Sequence, residues 1–430
     1  MNKLNTILAR NIDSVPKAIC GFSQTVAFSH YNHLSAQLPI DPKTGNLVNG
    51  GIKEQTIQSL KNIESIIKGI NHVMSDIVRM TIFTKTLKDI EIVKEVYKTF
   101  FSNYLPTMTI LVVKNIPMGS LVQIEAVITY GEGTIPNSPQ AGDLIKVVRN
   151  TKTAPECVLS SQSVAFSHYN NISAQLPIDP KTNKLVAGGI KEQLKQTFRN
   201  VKNILESIDV PFDDIVKTNI YIKDLNNMEH VQNVYKTFFP DSAIARAVGY
   251  FPALSIIEVS DLLLGALVQI EVIVSHGDGT PPQEIEDRHG IVIKANNTDK
   301  SPINCISSQS VAFSHYNNIS MQLPIEVSTG KLVSNEIEEQ TIKCLENIKN
   351  ILENIDHKME DIVKLNIFVK DINYINLISK NLKDFFPKTM PTGRIIEINN
   401  IEKNALIQID AIVSNGEGTP PNITRTTKYK

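Results

Sequence analysis

The 430-residue chain has no excess of charge of either sign. It carries 43 Lys and Arg residues against 44 Asp and Glu residues, and no block of like charge stands out. A basic track would predict nucleic-acid binding, and a basic amphipathic helix would predict a membrane surface. The near balance argues against both classes of partner. It also leaves little repulsion between molecules, so some self-association is expected.

Long hydrophobic runs and cysteines are also scarce. No stretch approaches the roughly 20 apolar residues that a membrane span needs, and residues 1–13 lack the apolar core of a secretory signal. Four cysteines are too few for a disulfide scaffold in a chain of this length. We therefore expect a cytoplasmic protein that has no membrane partner.

What the sequence does contain is a threefold internal repeat. The string Val-Ala-Phe-Ser-His-Tyr-Asn occurs intact three times, beginning at Val26, Val164 and Val311. Each copy continues with Gln-Leu-Pro-Ile and closes with Gly-Glu/Asp-Gly-Thr. The histidines of the string lie 138 and 147 residues apart, so the period is that of a whole domain and not of a solenoid repeat.

The residue pattern within one copy predicts the element order β-β-β-α-β-α-β-β. The segments rich in β-branched and aromatic residues, which we predict as strands, are residues 7–9, 25–31, 33–40, 77–84, 110–113 and 121–129. Apolar residues three to four apart predict a helix over residues 57–70 and a second over residues 92–100. The fold class is therefore α+β. Two helices on one face of a sheet leave the other face apolar and in need of a partner.

We predict three domains, at residues 1–137, 138–286 and 287–430. The links between them, residues 135–143 and 281–289, are polar segments of nine residues. Nine extended residues span roughly 30 Å, so each copy must lie beside the next. We expect the three sheets to face a common axis, as an internal trimer within a monomeric chain.

Several motifs carry a resemblance to a known family. In the first copy they are Ser23-Gln24, Ser35-Ala36-Gln37-Leu38-Pro39, Asp76-Ile77-Val78, Tyr97-Lys98-Thr99-Phe100-Phe101 and Leu121-Val122-Gln123-Ile124-Glu125-Ala126. With their counterparts in the other copies, they resemble the Rid family, also called YjgF or L-PSP, over nearly the whole chain. The resemblance implies a chorismate-mutase-like fold and a trimer with clefts between neighbouring domains. It also implies hydrolysis of reactive imines such as 2-iminopropanoate and 2-iminobutanoate.

The chain departs from the family's deaminase residues. In the deaminases that it resembles, an arginine in a Pro-x-Arg segment holds the substrate carboxylate, and a glutamate further on assists the attacking water. The matching positions here are Met108, Leu254 and Gly393 for the arginine, and Gln123, Gln269 and Gln408 for the glutamate. An amide can hydrogen-bond a water but cannot act as a base.

Two further pocket positions follow from the same resemblance. The family's tyrosine before Ser-Gln becomes Phe22, Ser160 and Ser307, whereas its strand serine is kept as Ser35, Ser173 and Ser320. We predict that the ligand-binding positions are the three serines, the three glutamines, Phe22, Met108, Leu254 and Gly393.

Two arginines near the expected position could still supply the guanidinium that a deaminase needs. Arg394 follows the expected position by one residue, so on a regular strand it points to the opposite face. Arg246 lies in Ala-Arg-Ala-Val-Gly, which resembles the family's arginine strand, but that alignment needs an insertion before Gln269. Arg246 is the only catalytic candidate that we carry forward.

Histidine and cysteine offer no metal site on spacing alone. His30, His168 and His315 recur in the same context, but no second ligand recurs beside them, so we predict a structural role. Cys20 and Cys305 occupy matching positions where the second copy has Val158, which favours an apolar filler over a nucleophile. We predict no metal and no cofactor.

The preferred function is binding of a small carbonyl, imine or amino-acid-like metabolite in clefts between the copies, with deaminase residues largely replaced. The first alternative is an active imine deaminase with a rearranged site, for which Arg246 is the candidate. The second is a scaffold or regulator that recognises another protein. A ribonuclease lacks support because no basic surface with aromatic residues is visible.

Overall fold

The computed structural model describes residues 7–101, 104–130, 146–239, 250–275 and 293–415. Within them each copy forms a six-stranded mixed sheet with two long helices, which confirms the α+β class. Each copy has the predicted element order, and the second adds a short hairpin. No helix among these residues is long and apolar enough to cross a membrane. Both predicted links and both domain boundaries lie outside the described residues.

The elements of the first copy are β1 (Leu8–Arg10), β2 (Thr25–Phe28), β3 (Tyr31–Leu34), α1 (Ile52–Gly69), β4 (Ile77–Thr84), α2 (Ile90–Lys98), β5 (Thr107–Val112) and β6 (Val122–Thr129). Those of the second are β7 (Val147–Arg149), β8 (Ser163–Phe166), β9 (Tyr169–Gln175), β10 (Ile178–Asp179), β11 (Lys184–Leu185), α3 (Ile190–Ser207), β12 (Ile215–Ile222), α4 (Met228–Phe238), β13 (Ala253–Glu258) and β14 (Val268–Ser275). Those of the third are β15 (Lys294–Asn296), β16 (Ser310–Phe313), β17 (Tyr316–Gln322), α5 (Ile337–Glu353), β18 (Ile362–Val369), α6 (Ile375–Phe385), β19 (Thr392–Glu397) and β20 (Ile407–Ser414).

The strand order of the first sheet is β1-β2-β3-β6-β4-β5, and the other two sheets repeat it. Neighbouring strands in this sheet are antiparallel except β4 and β5, which run parallel because α2 makes the crossover between them. In this register Arg79 of β4 lies between Val127 of β6 and Thr107 of β5. The charged side chain of Arg79 therefore belongs to a strand that has a neighbour on each side.

One face of each sheet is covered by its own helices. In the first copy Leu60, Ile63 and Ile67 form the predicted apolar stripe of α1, and all three are fully buried in the core. The helix begins after Gly51, whose N–H donates to the Glu54 carboxylate at 2.9 Å. Burial of one such apolar side chain contributes about 1.5–3 kcal/mol, so the stripe determines which side of α1 faces the sheet.

The other face of each sheet packs against the remaining copies. Three tyrosine hydroxyls donate to backbone carbonyls in a cycle, from Tyr31 to Phe166, from Tyr169 to Phe313 and from Tyr316 to Phe28. The same six residues belong to one buried apolar cluster that draws on all three copies. The sheet face that needed a partner is thus covered by neighbouring copies.

The turn between β2 and β3 lies earlier than predicted. We expected one strand over residues 25–31, whereas β2 ends at Phe28 and Ser29-His30 form a two-residue turn. Ser29 has φ of 50°, a conformation that glycine or asparagine ordinarily supplies in such turns. Because neither residue type is present, the turn carries no signal in the sequence.

Candidate functional sites between the copies

A serine from one copy contacts the neighbouring copy at each interface. The three serine Oγ atoms accept backbone N–H groups as follows: Ser35 from Gly393 at 2.9 Å, Ser173 from Met108 at 2.9 Å and Ser320 from Leu254 at 2.8 Å. Each Oγ also donates to a carbonyl of its own copy at 2.6 Å. The structure therefore brings the predicted pocket serines together with Gly393, Met108 and Leu254, the positions that the resemblance matches to the family's arginine.

Apolar side chains from a neighbouring copy enter the core at each of these interfaces. Cys20 and Phe22 of the first copy belong to the core cluster of the third copy. Leu159 enters the core of the first copy, and Ile306 enters the core of the second. Where the resemblance implies an open cleft, the described residues form a packed apolar contact.

Side-chain sizes match across these contacts. A Cβ atom on Gly393 would lie only 2.5 Å from Cζ of Phe22, so the phenylalanine ring occupies the space of a side chain at that position. In the other copies, Ser160 and Ser307 replace Phe22 in the sequence, and the strand positions carry Met108 and Leu254, which are buried. A guanidinium at residue 393 would require Phe22 to move.

The three glutamines do not share one role. Gln408 donates from its amide to the Ile256 carbonyl of the second copy at 3.3 Å. Gln123 is fully buried, and within the described residues neither atom of its amide has a hydrogen-bond partner. The Oε1 atom of Gln269 likewise has none there. Backbone pairing thus accounts for one glutamine of the three.

Arg394 points to the axis between the copies, away from Phe22. Its guanidinium donates to the Glu125 carboxylate of the first copy and lies 5.1 Å and 5.2 Å from the ring centres of Phe83 and Phe368. Such cation–π contacts favour a buried guanidinium. Arg246 lies outside the described residues, so its role stays a prediction.

A buried cluster of charges, which we call the axial cluster, lies where the three sheets meet. Its acidic members are Glu125, Glu271 and Asp410, and its basic members are Arg79, Lys217, Lys364 and Arg394. They surround a cavity of about 20 Å³. We expected this sheet face to be apolar. It is apolar where the tyrosines of the three copies meet, but it also carries these seven charged residues, which were not predicted. The sequence contained a signal for these charges, because each copy has Arg or Lys two residues after the start of the strand between its two helices, and an acidic residue directly after Gln-Ile.

Two lysines of the axial cluster form ion pairs with an acidic residue of another copy. The ammonium of Lys364 lies 3.0 Å from Glu125, and that of Lys217 lies 3.2 Å from Asp410. Arg79 is 8% exposed, and its guanidinium has no ion pair or hydrogen bond among the described residues. Burial lowers the pKa of Lys364 to about 8, although Glu125 acts in the opposite direction. Buried pairs of this kind cost desolvation, so the cluster is a weak source of stability.

The three repeated histidines also meet on this axis. Ring centres of His30, His168 and His315 lie 5.3–5.5 Å apart, and one ligand atom from each lies within 4.8 Å of the others. Within one copy, no second ligand recurs beside the histidine in the sequence. The structure instead brings one histidine from each copy to a single place. The sequence contained a signal for this meeting. If the three copies are arranged in a ring, a histidine that recurs at the same position in each copy can lie near the ring's axis three times.

Comparison with known proteins identifies the family. A sequence model of the family described as endoribonuclease L-PSP matches residues 12–130, 151–276 and 304–415. The chain belongs to the L-PSP, or Rid, family. Each of the three matches falls on one copy of the repeat, so this is a Rid chain with three tandem domains.

The Rid chain is similar to single-domain relatives. A RutC family protein of Pyrococcus horikoshii is 34% identical over 115 residues, which cover 27% of this chain and 91% of that protein. A 2-iminobutanoate/2-iminopropanoate deaminase of Rattus norvegicus is 35% identical over 119 residues, covering 28% of this chain and 87% of that protein. The solved structure of the Rid protein YyfA of Yersinia pestis is 38% identical and covers 31% of this chain and 100% of its own, with a TM-score of 0.29.

A larger cavity opens between the first and third copies of the Rid chain. Its volume is about 370 Å³. Ile7 and Val26 of the first copy form part of its wall, and Lys358, Lys388 and Pro391 of the third copy form another part. Both lysines are exposed residues. The cavity therefore combines an apolar side with two ammonium groups and one carboxylate, that of Glu360.

Proposed function

We propose that this Rid chain forms an internal trimer that binds a small metabolite between its first and third copies and does not hydrolyse imines. The metabolite carries a carboxylate beside a carbonyl, imine or amino group. The observation that carries the proposal is the 370 Å³ cavity between these copies, which falls in the size range of about 300–1,000 Å³ for small-molecule sites.

The charge of the cavity suits a carboxylate, because its two lysines outnumber its one acidic residue, Glu360. Lys358 and Lys388 supply two ammonium groups on the third copy, and Ile7 and Val26 supply an apolar wall on the first. An ammonium attracts a carboxylate as a point charge, without the two-pronged geometry of a guanidinium. The carboxylate anchor of the family is thus replaced by lysines at a different place on the same interface.

Loss of catalysis follows from the family positions. Gly393, Met108 and Leu254 offer no guanidinium, and the glutamines that replace the family's glutamate cannot accept a proton as a carboxylate does. General-base assistance is commonly worth about 10²–10⁴ in rate. Without it, and without the anchor, little turnover above background is expected.

Binding can be tested by calorimetric titration of the full chain with 2-oxobutanoate and with L-2-aminobutanoate. We expect Lys358→Met and Lys388→Met each to weaken binding by about threefold to tenfold, because each removes one partly solvated charge contact. Lys349→Met, on the exposed face of α5, is the matched control and should leave binding unchanged. Unchanged affinity in both cavity variants would contradict the placement.

The variant Gln123→Leu tests whether the ligand binds in this cavity or at the predicted glutamine sites. The proposal expects binding to survive, because Gln123 does not line the cavity. Loss of binding in this variant, but not in Gln408→Leu, would place the ligand at the glutamine and overturn the lysine site. If neither acid binds the unmodified chain, the metabolite proposal fails and the scaffold alternative takes its place.

Catalysis is tested with 2-iminopropanoate generated in situ, by following the rate at which the imine is lost. A rate indistinguishable from the protein-free reaction is expected. Clear turnover that Arg246→Ala abolishes would overturn the proposal in favour of the active-deaminase alternative.

A further inference from the structure

The tip of the β2–β3 hairpin is the same in all three copies. The two-residue turns are Ser29-His30, Ser167-His168 and Ser314-His315. Each serine has positive φ, at 50°, 55° and 46°, a conformation that costs free energy for any residue with a side chain. The string around the turn is identical in all three copies as far as the asparagine two places after histidine, and the next position is His33, Asn171 or Asn318.

These turns are held in place from two directions. Each tyrosine that follows a turn donates its hydroxyl to the carbonyl that precedes the next copy's turn, as Tyr31 does to Phe166. The carbonyls of His30 and His315 accept the N–H groups of Tyr130 at 2.6 Å and Asn415 at 2.8 Å. A histidine on a turn fixed in this way is preorganised to act as a ligand.

The spacing of the imidazoles suits one metal ion. Zinc binds histidine nitrogens at about 2.0–2.1 Å, so three ligands of a tetrahedral site lie about 3.3 Å apart. The ligand atoms of His30, His168 and His315 lie within 4.8 Å of one another. Small rotations about the side-chain torsions bring them to that distance. His168 is buried while His30 and His315 are partly exposed, so an ion can enter from solvent and keep a water as its fourth ligand.

We propose that His30, His168 and His315 bind one divalent transition-metal ion, with Zn²⁺ as the natural occupant, and that the ion joins the three copies. Neutral imidazoles select borderline ions of this kind over Ca²⁺ or Mg²⁺, which prefer oxygen. The site is independent of the metabolite cavity and of the replaced deaminase positions. It needs one histidine from each copy, which accounts for the identity of the turn in all three.

The test uses the full chain without a histidine tag, stripped with a chelator and titrated with Zn²⁺ at pH 7.5. One equivalent is expected to bind. His30→Asn, His168→Asn and His315→Asn should each weaken binding by at least about 100-fold, since loss of even a supporting residue costs 10–100-fold. The exposed His230→Ala on α4 is the matched control and should bind one equivalent with unchanged affinity. Retained stoichiometric binding in the three asparagine variants would overturn the site.

A second measurement needs no variant and so does not depend on folding of the substituted chains. X-ray absorption at the zinc edge of the unmodified complex should give three imidazole nitrogens and one oxygen at about 2.0–2.1 Å. Sulfur donors would place the ion at the exposed Cys157 or Cys305 and overturn the proposal, as would failure of the unmodified chain to bind zinc.

Discussion

Arg394 of the third copy donates a hydrogen bond to Glu125 of the first copy, across 269 positions of the chain. Lys364 lies on the other oxygen of the same carboxylate at 3.0 Å. Burial alone would raise the pKa of Glu125, but the charges of Arg394 and Lys364 outweigh it, so the pKa lies below its ordinary value. This carboxylate is therefore charged in the folded chain and depends on the third copy for its compensation.

Arg394→Met should destabilise the chain because it leaves Glu125 buried with one cation in place of two. Removal of one partner of a buried pair costs about 3–5 kcal/mol. We expect a shift of that size in the first transition of urea-induced unfolding. Arg199→Met, on the exposed surface of α3, is the control and should change the free energy of unfolding by less than about 0.5 kcal/mol.

The losses caused by Glu125→Leu and Arg394→Met should be less than additive in the double variant, because each single variant removes the same contact. Full recovery is not expected, because Lys364 then lacks its acidic partner. A cycle of the two single variants and the double variant measures the coupling. Additive losses would mean that the two side chains do not interact across the interface.

The lowered pKa of Lys364 predicts that the free energy of unfolding rises with pH. Its pKa is about 8 in the folded chain because burial disfavours the ammonium, whereas an unfolded lysine titrates near 10.4. Between these values the unfolded state holds more protons, so the free energy of unfolding increases as pH rises through that window. Below pH 8 both states are protonated and this contribution is constant.

Urea unfolding between pH 7.5 and 9.5 measures this effect. In Lys364→Met the increase should be smaller than in the unmodified chain by about 1–2 kcal/mol over that range. Lys349→Met, with its side chain half-exposed on α5, should retain the full increase. Equal pH profiles for the two variants would show that Lys364 keeps an ordinary pKa.

The cysteines should divide into two reactive and two protected thiols. Cys157 and Cys305 are exposed, whereas Cys20 and Cys344 are buried. The filler role expected for Cys20 and Cys305 therefore holds for Cys20 only. Burial raises the pKa of the Cys20 thiol to about 12, and a thiol reacts as the thiolate.

A thiol-disulfide reagent at pH 8 should consume two equivalents rapidly from the native chain and four in denaturant. Cys157→Ser and Cys305→Ser should each remove one rapid equivalent. Rapid loss of four thiols from the native chain would contradict the packing of Cys20 against the third copy.

Small-angle scattering tests whether the copies close into an internal trimer. A compact chain of this length has a radius of gyration of about 22 Å. The monomer should give a value near this, because the tyrosine–carbonyl bonds of Tyr31, Tyr169 and Tyr316 connect all three copies. A markedly larger radius would describe three domains strung along the chain.

The repeat and the apolar periodicity were sufficient to predict the fold of one copy. Helix α1 and strand β4 were predictable because residues such as Leu60 and Ile63 recur at helical spacing, and because six of the eight residues of β4 are β-branched or aromatic. The turn at Ser29 was not predictable from residue type, because a serine adopts the conformation there that glycine usually supplies.

The sites between copies were harder to predict because each is assembled from residues far apart in sequence. Phe22 and Gly393 give no signal separately in the sequence, and only the structure shows that the phenylalanine ring fills the space beside the glycine. The pairing of Arg394 with Glu125 and the meeting of the three histidines depend in the same way on which copy lies beside which. Local spacing carries no information about that order.

The contact of Phe22 with Gly393 has a consequence for gene fusion. In a homotrimer each interface is the same, so a bulky residue would meet the same partner three times over. Here the bulky residue faces the one copy that has no side chain to oppose it, while the copies with smaller serines face methionine and leucine. The sizes therefore encode the sequence in which the copies follow one another around the axis. Exchanging the first two copies in the gene would place Phe22 against Leu254, and that interface would be overfilled. It would also place Ser160 against Gly393, and that interface would contain a void.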